Sequence, residues 1–432
     1  MVSTKTIHYS KSMLHGELSV PGDKSISHRA VMIGSIAEGT TSIAGFLDGD
    51  DCLRTIDIFK RLGVSIERNG TEVTVISPGM RQWQEPSADL YAGNSGTTAR
   101  LMLGILAGSN IKSVLTGDES LSKRPMDRVT LPLLKMGAEI KGEQESNLLP
   151  LSITGKSLTA IDYAMPIASA QVKSAILFAG LNAEGTTSVS EKTVSRDHTE
   201  RMLEQFGATI GKEDNTVFVK GGSQLHGTTV QVPGDISSAA FFMAATAMIK
   251  GSSVTFKGVG LNPTRTGILD ILQSMGARVE IKDETKGIGE PSGTVTITYG
   301  TLQGMEIKGE VIPRLIDELP IIALLATQAS GKTVIKDAGE LRVKETDRIE
   351  AVTNELIKIG ADVQATADGM IIHGPTVLTG GQMASYGDHR IGMMAAIASL
   401  VSLQPITIED PACISISYPQ FFEDLEILAV NK

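Results

Sequence analysis

The chain has 432 residues, 41% apolar and 20% charged, enough for two or three domains with large cores. Its formal charge of −10 and its 4% aromatic content exclude a general nucleic-acid binder, which needs a basic stripe or stacking platforms. The longest nearly pure apolar run, 239–249, is far shorter than the ~18 residues of a membrane span, the first twenty residues hold no signal-peptide core, and Cys52 and Cys413 form neither a metal spacing nor a disulfide framework. A cytoplasmic protein without metal, cofactor, membrane or nucleic-acid partner is the expectation.

In chain order, residues 7–20 read as β-type, and a polar cluster near Ser25 then opens an apolar helix, a turn and a short β-rich stretch. An amphipathic helix follows, ending at Gly63 ahead of a further strand; a glycine there fits a left-handed helix cap. The same order recurs. The polar clusters begin near Ser25, Ser95, Ser169, Ser237, Asp317 and Asp388, spaced 68 to 80 residues apart. The helix-ending glycines are Gly63, Gly137, Gly207, Gly276 and Gly360. Each unit therefore reads strand, helix, strand, helix, strand. The last unit stops at its second helix, FFEDLEILAV, and residues 7–20 are expected to supply its missing strand.

A longer repeat overlies the short one. VPGDKSISHRAVMIGSIAEGTTSI from Val20 is answered 212 residues later by VPGDISSAAFFMAATAMIKGSSV from Val232, and DIFKRLGVSI from Asp57 by DILQSMGARV from Asp270. A solenoid could carry the same units, but the duplication favours two closed domains of three βαβαβ-type units each, in the α/β class. The boundaries expected are residues 22–234 for one domain, and 1–21 with 235–432 for the other. The two chain crossings between them form a hinge.

A helix entrance offers unpaired N–H groups and the positive end of its dipole, a ready anion site. Capping alone explains Ser237, Thr98 and Asp388. It does not explain Lys24, Arg29 and Arg390, because cations in a first helical turn oppose the dipole and call for a compensating anion. RVKETDRIEAVTNELIKIG crowds Arg342, Lys344, Glu345, Asp347 and Arg348 ahead of an amphipathic helix. Surface salt bridging or an acid–base pair beside an anion-holding arginine would each account for that mixture.

PGDKSISHRA, GNSGTTAR, SAQVKSA, LIDELP, RVKETDRIEAVTNELIKIG and GDHRIGM together resemble, in order and spacing, the motifs of the 5-enolpyruvylshikimate-3-phosphate synthase family. The resemblance spans nearly the whole chain. It implies two inside-out α/β domains, each with threefold pseudosymmetry, and no cofactor. The implied reaction moves the enolpyruvyl group of phosphoenolpyruvate to the 5-hydroxyl of shikimate 3-phosphate with release of phosphate, in aromatic amino acid biosynthesis by way of chorismate.

Carried over motif by motif, Lys24, Ser25, Arg29, Ser169, Gln171, Ser195, Arg196, Asp317 and Lys344 would bind shikimate 3-phosphate. Lys24, Gly96, Arg124, Gln171, Arg348 and Arg390 would bind phosphoenolpyruvate. Asp317 matches the base, Glu345 the acid, and Lys24 is a rival proton donor. The expected partners are these small anions, the expected state is a monomer, and anion-driven domain closure follows from cations in both halves. Three positions depart from the pattern: Ile416 replaces a lysine some members carry, Glu340 an asparagine, and Ala170 a serine. A sister enolpyruvyl transferase acting on UDP-N-acetylglucosamine would carry a loop cysteine and a Lys-Asn pair; SLSKRPMD has no cysteine, and the pair here is Lys24 and Ser25. An RNA 3′-phosphate cyclase of related unit design would need a basic stripe, and a non-catalytic anion-binding scaffold would tolerate loss of Glu345.

Overall fold

The polar clusters stand where helices begin. In the computed structural model, which describes residues 3–9, 12–142, 147–285, 287 and 289–430, the helix Lys24–Ile36 opens with Asp23 accepting the Ile26 N–H at 2.9 Å. Ser95, Ser169, Asp235 and Asp388 cap the helices Gly96–Ala107, Ala170–Gly180, Ile236–Met248 and His389–Ala398 in the same way. The helix Leu319–Ala326 has no side-chain cap and carries Pro320 in its first turn, where a missing N–H costs nothing. These helices are apolar on nearly every face, and every residue of Ile236–Met248 and Leu319–Ala326 is buried. A helix of that kind belongs at the centre of a core.

The second helix of each unit is amphipathic, as in Asp50–Arg61, His198–Gln205 and Arg348–Lys358. Gly63, Gly137, Gly207, Gly276 and Gly360 follow such helices with φ between 86° and 114°, the left-handed conformation that ends a helix at little steric cost. Two strands come next, where the repeat pattern predicts one. Ser65–Asn69 turns back into Glu72–Pro78, and the same hairpin recurs as Glu139–Gly142 with Leu151–Thr154, Ile210–Glu213 with Thr216–Lys220, Arg278–Lys282 with Ser292–Thr298, and Asp362–Ala365 with Met370–Gly374. The returning strand sits inside the sheet: Leu90–Tyr91 runs parallel to Lys112–Thr116, which pairs antiparallel with Leu151–Thr154, with Glu139–Gly142 outermost. It alternates inward and outward residues, with Val73 and Val75 buried in EVTVISP, so one face covers the helices and the other meets solvent.

The N-terminal segment divides its service, correcting the expectation for residues 7–20. Thr4–Ile7 pairs antiparallel with Ile406–Glu409 of the sixth unit, whereas Met13–Leu18 runs parallel to Ser253–Gly260 of the fourth. The last helix, Phe421–Leu428, is followed by a short strand, Ala429–Val430, which pairs with Met13 and Leu14. Thr229–Gln231 returns in the same manner to pair with Glu38–Ala44 of the first unit.

The chain divides into two compact units. One comprises Met1–Pro21, Pro233–Lys286 and Pro291–Lys432; the other comprises Gly22–Val232 with Gly287–Glu290. The boundary expected at residue 234 stands two residues beyond Val232, and that expectation does not separate Gly287–Glu290. Each unit has its own hydrophobic core. Helices fill the inside and sheets form the outer faces, an inside-out α/β arrangement. The inner helices approach closely: a Cβ on Gly104 would collide with the Ala175 carbonyl of the helix Ala170–Gly180. Among the described residues no helix is long and apolar enough to cross a membrane.

Candidate active site

In the unit Gly22–Val232, the entrances of the three inner helices are tied to one another. Arg29, one turn into Lys24–Ile36, is buried; its Nε donates to Thr199 Oγ1 at 2.7 Å, Nη2 to Ser174 Oγ at 2.8 Å and Nη1 to the Ser25 carbonyl at 2.9 Å. Burial lowers its guanidinium to about 10, with Glu200 and Asp23 opposing, so it remains a cation at neutral pH. Gln171 joins the other two entrances, accepting from Arg100 Nη1 and donating to Thr97 Oγ1, both at 3.0 Å. Behind them a buried chain runs from His28 Nδ1 to Thr55 Oγ1 at 2.7 Å, and from Thr55 to Thr98 Oγ1 at 2.9 Å.

Lys24 forms an ion pair with Asp51, which lies in the first turn of Asp50–Arg61. Arg124 donates to the side chain and the carbonyl of Asn94, beside Gly96; a Cβ at Gly96 would stand 2.8 Å from Arg100 Nη1 and 3.7 Å from Arg124 Nη1. The missing side chain thus keeps the helix entrance open next to two guanidinium groups. Ser169 caps its helix, with Ala170 at the first helical position. Ser195 is buried, its N–H held by Glu191 and its carbonyl by Lys173, and Arg196 follows, half-buried.

The other unit gathers its expected residues around one buried guanidinium. Arg348 begins the helix Arg348–Lys358 and is 1% exposed. Nε donates to Asp388 Oδ2 at 2.7 Å, Nη1 to Asp317 Oδ1 at 3.1 Å, and Nη2 to Glu345 Oε2 at 2.7 Å and Asp388 Oδ1 at 3.2 Å. Lys344 Nζ lies 3.3 Å from Asp317 Oδ1, and Arg390 Nη1 donates to the Asp317 carbonyl at 3.2 Å. Burial would raise the Glu345 carboxyl, but Arg348, with His389 and Lys344, overrides it and holds Glu345 well below the ordinary carboxylate range. Arg348 itself is raised, since Asp388, Glu345 and Asp317 together outweigh its desolvation.

Some residues do more than the sequence suggested. Asp388 caps its helix and also holds Arg348. Ser237 is not the cap, a task that falls to Asp235; its hydroxyl instead bonds Glu318 and accepts from Arg265 Nη2 at 2.6 Å. Thr98 joins the buried chain to His28. Arg342 is spent on structure, bonding the Thr366 and Ala367 carbonyls as well as Asp347. Ile416 ends the turn Pro411–Ile416 and packs on the core.

Sequence reasoning gave no role to Asp51, Thr55, Ser174, Thr199 or Glu191. Asp51, Ser174, Thr199 and Glu191 become visible only as partners of a cation, and Thr55 only as the link between His28 and Thr98; Ser174 lies inside SAQVKSA, where nothing marks it as a contact of Arg29. Among the described residues no cluster of His, Cys, Asp and Glu is arranged to hold a metal ion.

The fold defines an α/β protein of two helix-filled units, each with a buried guanidinium held at its inner-helix entrances. The family model of EPSP synthase (3-phosphoshikimate 1-carboxyvinyltransferase) matches residues 9–425, and the chain belongs to that family. A 3-phosphoshikimate 1-carboxyvinyltransferase of Bacillus licheniformis is 58% identical over 419 residues, covering 97% of this chain and 98% of its own length. One from Bacillus cereus is 57% identical over 425 residues, covering 98% and 99%. A solved EPSP synthase from Acinetobacter baumannii superposes with a TM-score of 0.89 at 45% identity, covering 99% of this chain and 98% of that one.

Proposed function

We propose that the chain catalyses transfer of the enolpyruvyl group of phosphoenolpyruvate to the 5-hydroxyl of shikimate 3-phosphate, releasing phosphate, as the names of its relatives indicate. Lys24, Ser25, Arg29, Ser169, Gln171, Ser195 and Arg196, with Asp317 and Lys344, are assigned to shikimate 3-phosphate. Gly96, Arg124, Arg348 and Arg390, with Lys24 and Gln171, are assigned to phosphoenolpyruvate. Each substrate carries a carboxylate and a phosphate, and guanidinium groups match both in charge and geometry. The reading carries with it a monomeric enzyme of the cytoplasm that takes small anionic substrates and no nucleic acid.

The observation that carries this reading is Arg348 bound to three carboxylates at once, Asp317, Glu345 and Asp388. Asp388 is fully buried and grips both Nε and Nη2, so it fixes the guanidinium plane. Glu345 is partly exposed and holds Nη2 alone, which makes it the partner an arriving substrate anion displaces. Once displaced, Glu345 loses Arg348, the strongest of the cations that hold its charge, so its proton affinity rises. It then becomes a competent general acid.

The chemistry runs as an addition and an elimination. Glu345, with Lys24 as rival donor, protonates the methylene carbon of phosphoenolpyruvate, which creates positive character at C2. The 5-oxygen adds there as Asp317 takes the hydroxyl proton. The Glu345 carboxylate then takes a proton from the new methyl group, restoring the double bond, as protonated Asp317 gives its proton to the departing phosphate. Each acid–base group is worth roughly 10²–10⁴-fold, and orientation supplies much of the rest. Phosphate release from phosphoenolpyruvate, measured with shikimate 3-phosphate and with UDP-N-acetylglucosamine as acceptors, tests the assignment. Release with the first is expected; release with the second alone would reverse it.

A further inference from the structure

Lys173 is an ammonium in a helix that holds no other charge, and it is 1% exposed. Such a charge persists only when fully partnered. Its Nζ donates to Glu191 Oε2 at 2.7 Å and to the Ser195 carbonyl at 3.4 Å, and pairs with Glu200 Oε1 at 2.7 Å. Burial alone would lower its proton affinity, but Glu200 and Glu191 more than reverse this. Glu191 holds the same residue by its other backbone polar group, accepting the Ser195 N–H at 3.3 and 3.2 Å. Both backbone polar groups of Ser195 are thus held by one buried ion pair.

The Ser195 hydroxyl is what this grip leaves over. Ser195 is 5% exposed, and its Oγ has no hydrogen-bond partner among the described residues. A buried hydroxyl in that state is costly unless something outside the chain accepts its hydrogen bond. The neighbours of the clamp point to what that is. Ser174 follows Lys173, Thr199 precedes Glu200, and these two hydroxyls hold the Arg29 guanidinium. The elements that fix Ser195 therefore also fix a cation.

Resting on the transferase reading above, we propose that Lys173 and Glu191 are positioning residues: a buried clamp that presents the Ser195 hydroxyl, in register with Arg29, to the phosphoryl group of shikimate 3-phosphate. The other explanation of a buried ion pair is packing alone, and it makes a different prediction. A packing role gives Lys173 and Ser195 independent effects on ligand affinity, whereas a clamp makes them depend on one another.

The test is a double-mutant cycle read by calorimetric titration of shikimate 3-phosphate into the full chain, the Lys173→Met and Ser195→Ala variants and their combination. Lys173→Met is expected to weaken binding by about tenfold or more when Ser195 is present, and by less than about threefold in the Ser195→Ala background. The KM for phosphoenolpyruvate at saturating shikimate 3-phosphate should stay within about threefold, because the clamp acts on the other ligand. Equal losses in both backgrounds would overturn the proposal. Should Lys173→Met fail to fold, Glu191→Gln, which keeps an acceptor for the Ser195 N–H, replaces it in the same cycle under the same criterion. Turnover of the unaltered protein is measured alongside. Its absence would count against the transferase reading, whereas turnover with additive losses would remove the clamp alone.

Discussion

Asp388 holds Arg348 through both carboxylate oxygens, with Oδ2 2.7 Å from Nε and Oδ1 3.2 Å from Nη2, while Oδ1 also caps its own helix at the Arg390 N–H. One side chain therefore sets both the angle of a buried guanidinium and the start of the helix that carries a second arginine. Asp388→Asn keeps a capping oxygen but loses the charge that pins Arg348. Steady-state kinetics should show the KM for phosphoenolpyruvate raised by about tenfold or more, with a smaller change for shikimate 3-phosphate.

Glu345 tests the acid–base account. Glu345→Gln still reaches Arg348 through an amide oxygen but carries no transferable proton. Its kcat should fall by roughly 10²–10⁴-fold, with the KM for phosphoenolpyruvate changed only a few-fold. A variant within a few-fold of the unaltered kcat would leave Lys24 as the donor, or mark the site as a binding scaffold.

His28 makes stability depend on pH. Burial, aided by Lys24 and Arg29 and opposed by Asp51, pushes its imidazole down to about 3. The folded state therefore leaves His28 neutral while the unfolded chain protonates near pH 6.5. Its contribution is fully present above that unfolded value and is lost as pH falls towards 3. Between pH 7.5 and 5.5 the loss from this one group is about 1.4 kcal/mol. Denaturant unfolding at the two pH values should show that difference shrinking by about this amount in His28→Asn; an unchanged difference would mean that His28 is not held neutral.

Gly104 tests the packing of the inner helices. Its missing side chain lets Gly96–Ala107 approach the Ala175 backbone, and a methyl group there meets a carbonyl, not a yielding side chain. Gly104→Ala would gain helix propensity in an isolated peptide. In the protein the collision dominates, and unfolding free energy should drop by about 1–3 kcal/mol or more.

Much of this was legible in the sequence because it repeats. Glycines at matching places fixed where the amphipathic helices end, and VPGDKS against VPGDIS fixed the doubling. The returning strand of each hairpin was not legible as a separate element, because SIERNGTEVTVIS reads as one β-rich run until the turn at Gly70, with φ of 60°, divides it. The site was legible where charge contradicts local convention, as with Lys24 and Arg29 at a helix entrance. It was not legible where a neutral side chain does the holding. Thr199 and Ser174 are ordinary residues on two separate helices, and nothing short of the packed core places them on the Arg29 guanidinium. Asp388 was hidden by a role it also fills, since a cap explains an aspartate without reference to Arg348.

The account stands on protonation of the phosphoenolpyruvate methylene carbon followed by its reversal. Turnover of phosphoenolpyruvate and shikimate 3-phosphate in heavy water, with the product read by deuterium and carbon NMR, measures that step directly. Deuterium in the vinylic methylene group of an enol ether on the 5-oxygen is the predicted result, with both transfer and label nearly abolished in Glu345→Gln. Phosphate release that leaves the methylene group free of deuterium would contradict it.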